Sequence, residues 1–247
     1  MPSFTPGEWL LAILAAYFYG ISKGGLSAVG MLGVTFMAAA VPGRASTGIV
    51  LPLLVAADMI AAATFREHVH WAHLRRLGWP VGLGVVAGWA LLMVIPDAAF
   101  RPVIGGMVLG MLALQAVRQR FPRFDAALPH SPVFAWASGL LTGTSTMVAN
   151  AAGPIASTYL IVLGFAKLQF VHTMAWLFLF VNLFKLPFSL QLGLINAGSL
   201  DLTARLVPAM LLGLWSGKRL IDRVPAHVFQ NLVLTLSAAS AAWLLVR

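Results

Sequence analysis

Apolar stretches alternate with short polar or basic connections along the whole chain, and they come in two forms. Six read as plain membrane-spanning helices, near 46–65, 76–95, 99–117, 170–191, 204–220 and 226–246. A spanning helix needs roughly 20 residues. Two further stretches, near 8–40 and 132–163, are longer and are interrupted by small and hydroxylated residues. The first interruption is Gly20-Ile21-Ser22-Lys23-Gly24-Gly25 and the second is Gly143-Thr144-Ser145-Thr146-Met147-Val148-Ala149-Asn150. These stretches are long for one crossing and short for two, which suits two half-helices that meet inside the membrane. A helix in lipid satisfies its own backbone, so a break at that depth is tolerated where the opened backbone is buried in protein or lines a cavity.

The two interrupted stretches head two related halves. Gly20 matches Gly143 (143 − 20 = 123), and the same offset places Gly30 on Gly153 and Phe65 on Phe188. Pro80 and Gly88 then resemble Pro208 and Gly217, and Pro96 with Phe100 matches Pro225 with Phe229 (225 − 96 = 129). The drift places a few inserted residues near Asn196 to Leu202. Such ordered self-similarity is the mark of an internal repeat. The expected organisation is an N-terminal repeat over 1–118, a cytoplasmic linker over 119–130 and a C-terminal repeat over 131–247, together one transmembrane domain.

Basic residues choose the topology. If each interrupted stretch crossed the membrane once, eight arginines would fall on one side and six basic residues on the other, with no bias. If each dips in and returns, one side collects Arg66, Arg75, Arg76, Arg118, Arg120, Arg123, Lys167, Lys218, Arg219 and Arg223. The other keeps Arg44, Arg101, Arg205 and Arg247. Short loops rich in Lys and Arg stay in the cytoplasm, so the second arrangement is favoured and both termini are expected outside. Each half then has three full crossings, and an odd number is what inverted-topology repeats require. The fold class expected is an all-α polytopic membrane protein of two inverted-topology repeats, each a re-entrant or broken helix hairpin plus three transmembrane helices.

Composition agrees. The chain is 60% hydrophobic and 9% charged, with a mean hydropathy of +0.90, whereas soluble domains carry about 25% charged residues. The net charge of +9 sits between apolar segments, so it reads as topology signal and not as a nucleic-acid surface. There is no cysteine, which excludes disulfides and thiol chemistry. The N-terminus has no basic region, so no cleaved signal peptide is expected.

Candidate chemistry gathers at the breaks. Lys23 and Lys185 lie inside apolar stretches, where a charge is costly and faces protein interior or water. Asn182 precedes Lys185 by one helical turn, on the same face; the alternative for Lys185 is a snorkelling side chain near a helix end. A half-helix beginning after Ser22, Lys23, Gly24 and Gly25 presents N–H groups and a positive dipole end, which favours an anion. Thr144, Ser145, Thr146 and Asn150 add donors from the second half. Asp58 aligns beside Asn182 and is a candidate for proton coupling, or else a plain partner for a lysine. Glu8 reads as interfacial. His68, His70 and His73 with Glu67 read as an interfacial loop anchored by Trp71 rather than a metal site, and no metal or cofactor is expected. Ser216-Gly217-Lys218-Arg219 lacks the glycine frame of a phosphate loop. Ser145, His172 and Asp58 have the residue types of a hydrolase triad, but types alone carry little, and no enzyme is expected.

Taken together, Gly20-Ile21-Ser22-Lys23-Gly24-Gly25, Arg44, Asp58 and Phe65-Arg66-Glu67-His68 resemble the first half of the TauE/SafE sulfite exporter family. The second half matches better, through Gly143 to Met147, Asn150-Ala151-Ala152-Gly153-Pro154, Tyr159-Leu160, Lys167, Phe170-Val171-His172-Thr173, Asn182 and Lys185. The resemblance covers nearly the whole chain. It implies a secondary permease for small sulfur-containing anions, such as sulfite or organosulfonates like toluenesulfonate, in a bacterial inner membrane. The first break departs from the all-glycine form of some members by carrying Ser22-Lys23. An anion channel, and a permease for another organic anion such as a carboxylate, remain as alternatives. The partners expected are a small anion and the lipid bilayer, with a homodimer left open.

Overall fold

The computed structural model describes residues 4–41, 44–96 and 132–220, with scattered positions between 99 and 120. The helices expected near 99–117 and 226–246, and the linker over 119–130, lie wholly or largely outside these. Eight α-helices are described: α1 (Pro6–Lys23), α2 (Gly30–Ala40), α3 (Ala45–Thr64), α4 (Trp71–Val94), α5 (Pro132–Ala149), α6 (Gly153–Val162), α7 (Lys167–Gln191) and α8 (Ala197–Leu220). No strand occurs among the described residues. Four helices, α3, α4, α7 and α8, are long and apolar enough to cross a membrane.

Both interrupted stretches break, and both fold back. Thr5 starts α1 with a reciprocal cap: its Oγ1 accepts the Glu8 N–H at 3.3 Å and Glu8 Oε2 accepts the Thr5 N–H at 2.8 Å. Glu8, expected as a plain interfacial residue, is therefore a capping residue. The helix stops after Lys23. The Gly24 N–H closes it on the carbonyls of Gly20 and Ile21, and Gly25 turns away at φ 118, where side chains other than glycine's are strained. A 3-10 turn over Ser27–Val29 leads into α2. Gly30 then lies against Ser22, and Gly33 lies against Tyr19 and Ala15. The order of these contacts makes α2 antiparallel to α1. In the second stretch, α5 ends at Asn150, at φ 53, the left-handed region that asparagine tolerates better than most residues. Phe134 near the start of α5 meets Tyr159 near the end of α6, ring centroids 5.7 Å apart, so α6 also returns. The breaks lie at 24–26 and 150–152, at the ends of the Gly- and Ser/Thr-rich runs rather than within them.

Two boundaries move relative to the sequence reading. Helix α8 begins at Ala197, not near 204. Asn196 caps it, its Oδ1 accepting the Ser199 N–H at 3.0 Å while its own N–H donates to Ser199 Oγ at 2.9 Å. The residues read as a loop insertion thus include the cap and first turn of a helix. Helix α4 likewise begins at Trp71 rather than near 76.

Each hairpin packs on a long helix outside its own interrupted stretch. Helix α1 runs parallel to α8 through glycine: Gly20 meets Met210 and Gly213, and Gly24 meets Leu214 and Gly217. Helix α5 runs parallel to α4 in the same manner, Gly143 meeting Val81 and Gly84, and Met147 meeting Gly88. Small residues let helix backbones approach closely, as membrane helices require when lipid gives them no hydrophobic drive to associate. Helices α3 and α7 run antiparallel at the centre. Gly48 abuts Leu194, Asp58 bonds Asn182, and the Phe65 and His172 rings are 5.4 Å apart. One large cluster of buried apolar side chains, from Ala12 to Met210, runs through both halves. Outward positions such as Trp79, Val94 and Leu212 are apolar and exposed, as a lipid-facing surface requires.

Candidate functional site

The two breaks meet across α3 and α7 and line one cavity. Tyr19, Ser22, Lys23, Ser27 and Gly30 line it from the first hairpin; Thr146, Asn150, Ala151 and Gly153 line it from the second. Leu54 of α3 and Phe178 and Asn182 of α7 complete the wall. The first residues of both returning half-helices therefore face the same space. Ser27 Oγ and Ser157 Oγ, 2.8 Å apart, tie the hairpins directly.

A chain of polar contacts runs along this wall. Lys23 Nζ pairs with Asp58 Oδ1 at 2.8 Å. Asp58 Oδ2 accepts from Asn182 Nδ2 at 2.6 Å. Asn182 Oδ1 accepts from Lys185 Nζ at 3.3 Å. Lys185 Nζ also donates to Asn150 Oδ1 at 2.6 Å and Thr146 Oγ1 at 3.1 Å. Three acceptors match the three N–H groups of an ammonium. Lys185 is 1% exposed and Asp58 0%, so neither reaches water, and Lys185 does not snorkel. The network holds two lysines and one carboxylate: Asp58 pairs with Lys23, and the acceptors described for Lys185 are all neutral. With all three groups ionised, the site carries an excess of one positive charge. Buried charge of this kind is costly unless paired, and an anion in the cavity would supply the missing partner.

Not every expected donor is here. Ser22 lines the cavity, although its hydroxyl donates to the Ser27 carbonyl at 3.2 Å. Gly24 is taken up in the contact with α8, and Gly25 lines a second, neighbouring cavity. The Thr144 hydroxyl donates to the Gly84 carbonyl of α4 at 3.1 Å. The Ser145 hydroxyl bonds back to Leu141 within its own helix at 2.6 Å. Consecutive helical residues point about 100° apart, so 144, 145 and 146 cannot share a face; Thr146 and Asn150, four apart, do. Ser145, His172 and Asp58 are not brought together. His172 Nδ1 instead accepts the His68 N–H at 3.0 Å, at the end of α3. Among the described residues no group of three His, Asp or Glu side chains is arranged to hold a metal. Several contributors went unnoticed in the sequence, Tyr19, Ser27 and Leu54 of the cavity wall among them. Phe178 lies under Lys23, Nζ 4.0 Å from its ring centroid, and the Thr47 carbonyl accepts from Asn150 Nδ2 at 3.4 Å. Helical spacing was the available signal for Phe178, since 178, 182 and 185 recur at i, i+4 and i+7.

Residues 11–244 match the family model described as Sulfite exporter TauE/SafE. No curated protein and no solved structure matches the chain.

Proposed function

Since the chain belongs to the sulfite exporter TauE/SafE family, a family of membrane transporters and not of enzymes, we propose that it carries sulfite or an organosulfonate by alternating access about the Lys23–Asp58–Asn182–Lys185 network. The coarse function, multi-pass membrane transport of small sulfur anions, follows from the family. The site and the mechanism are our reading. The observation that carries them is two lysines set against a single carboxylate: Lys23 pairs with Asp58 and Lys185 joins it through Asn182, beside a cavity at the meeting of two broken hairpins.

The anion sits between the two lysines. Thr146, Asn150, Asn182 and Ser22 are its hydrogen-bond partners, and the starts of α2 and α6 add positive dipole ends. Binding requires Lys23 or Lys185 to exchange a present acceptor for the anion. When Lys23 does so, Asp58 loses its cation; a proton then neutralises the carboxylate, which couples anion movement to protons. The two hairpin-bearing halves are inverted repeats that rock against each other around the site. The parallel pairs α1–α8 and α4–α5 and the antiparallel central pair α3–α7 support this reading. The end carrying Arg66, Arg75, Arg76 and Lys167 faces the cytoplasm of a bacterial inner membrane, and both termini lie outside.

Flux into proteoliposomes tests the proposal. The panel is sulfite, sulfoacetate, an aromatic sulfonate, sulfate and acetate, each with and without a pH gradient. The expected result is saturable flux of a sulfur anion, enhanced by the gradient. Flux that rises linearly with concentration would replace the carrier by a channel, and flux of acetate alone would move the substrate to carboxylates.

A further inference from the structure

A second cavity adjoins the first. It shares Ser22, Lys23, Ser27 and Phe178 with the central one, and Phe170, Val171, Met174 and Ala175 of α7 line it alone. Apart from Gly25 at the first break, its distinct residues lie in the first turns of α7. That end of α7 is fastened to the α3–α4 connection, since His68 N–H donates to His172 Nδ1 and His70 N–H donates to Thr173 Oγ1 at 3.1 Å. The second cavity is therefore a vestibule on the side of that connection, with the central cavity deeper in. Two of the four shared residues, Lys23 and Phe178, touch each other. The Lys23 ammonium stands over the Phe178 ring at 4.0 Å while Asp58 Oδ1 holds it at 2.8 Å.

We propose that Phe178 and Lys23 form the gate between the vestibule and the central cavity, with the Phe178 ring as the barrier and Lys23 as the first cation an entering anion meets. A shielded ammonium over an aromatic face is held electrostatically by the ring. An anion arriving from the vestibule competes for the same ammonium. Drawing Lys23 off the ring frees Phe178 to turn about its side-chain bonds, which joins the two cavities without breaking any backbone contact. The gate rests on the transport reading for its purpose, but its geometry can be tested without transport.

The chain contains no cysteine, so single thiols report access directly. Met174→Cys marks the vestibule and Leu54→Cys marks the central cavity. Each full-length variant is treated in sided vesicles with a membrane-impermeant anionic methanethiosulfonate. Met174→Cys is expected to react from the side of the α3–α4 connection. Leu54→Cys is expected to be slow from that side with Phe178 present and roughly ten-fold faster with Phe178→Ala, since ring bulk and a shielded cation–π contact are both removed. Phe178→Leu, which keeps part of the bulk but removes the ring face, is expected to give an intermediate rate, and it carries the test should the alanine variant fail to assemble. Equal Leu54→Cys rates in the Phe178 parent and the variant, or reaction of Met174→Cys from the opposite side only, overturns the gate. If labelling responds as expected while no sulfur anion is carried, the gate stands and the substrate reading falls. If a sulfur anion is carried while labelling is indifferent to Phe178, the gate alone falls.

Discussion

Lys185 separates binding from folding most cleanly. Its Nζ meets three neutral oxygens, so Lys185→Met removes a cation and leaves three polar groups without a donor. Such groups cost about 1–3 kcal/mol when unsatisfied. Lys185→Met is thus expected to insert and purify with a lowered melting temperature, while sulfur-anion flux and binding are lost. Normal flux in this variant would remove Lys185 from the site. The Lys23–Asp58 pair makes a sharper demand, because Asp58 is 0% exposed and the Lys23 side chain 8%. Removing one member of a buried pair typically costs about 3–5 kcal/mol, whereas apolar replacement of both is often neutral. Asp58→Leu alone is expected to destabilise strongly, and Lys23→Met with Asp58→Leu to regain most of the loss yet not transport. Thermal unfolding in detergent, read beside flux, checks both halves of that statement.

The helix crossings set the tolerance of each element to substitution. A Cβ on Gly213 would run into the Tyr17 carbonyl, and one on Gly84 into the Leu140 carbonyl. Neither neighbour is the free end of a side chain, so helix must move from helix. Gly213→Leu and Gly84→Leu are each expected to cost about 1–3 kcal/mol, as overpacking does. Gly78, with nothing within 4 Å of its would-be Cβ, is the control: Gly78→Ala is expected to raise stability by about 0.5–1 kcal/mol through helix propensity. A melting-temperature series across these three variants tests the crossings independently of any substrate. Some of the crossing glycines, Gly20, Gly143, Gly88 and Gly217, stood out in the sequence as repeat matches, but their partners did not. Gly88 and Gly217 matched each other there, whereas in space each touches the hairpin of the opposite half.

At the scale of the whole molecule, direction across the membrane is the open quantity. The basic ends of α4 and α8 and the start of α7 share one side, and Asp201 and Arg205 lie at the other, joined as an exposed pair at 3.0 Å. Arg75→Cys is expected to react with an impermeant thiol reagent only from the cytoplasm, and Asp201→Cys only from outside. The reverse pattern would invert the molecule and exchange the proposed vestibule to the outer side, leaving the site itself unchanged. Reaction of both thiols from one side would instead break the proposed three-crossing topology.

Hydropathy and loop charge depend only on residue type and order, so the sequence by itself was enough for an all-helical membrane chain with two interrupted stretches, and its ordered motifs for the family. It also singled out Lys23, Asp58, Thr146, Asn150, Asn182 and Lys185, because polar groups in apolar stretches are costly wherever they occur. Pairing is different, since it depends on which helix faces which. Only the tertiary structure decided that Lys23 takes Asp58 while Lys185 takes Thr146 and Asn150. It likewise turned Thr144 and Ser145 to backbone carbonyls and set Phe178 beneath Lys23. Helix rotation determines those outcomes, and rotation is set by close packing of backbones at glycine crossings between segments far apart in the chain.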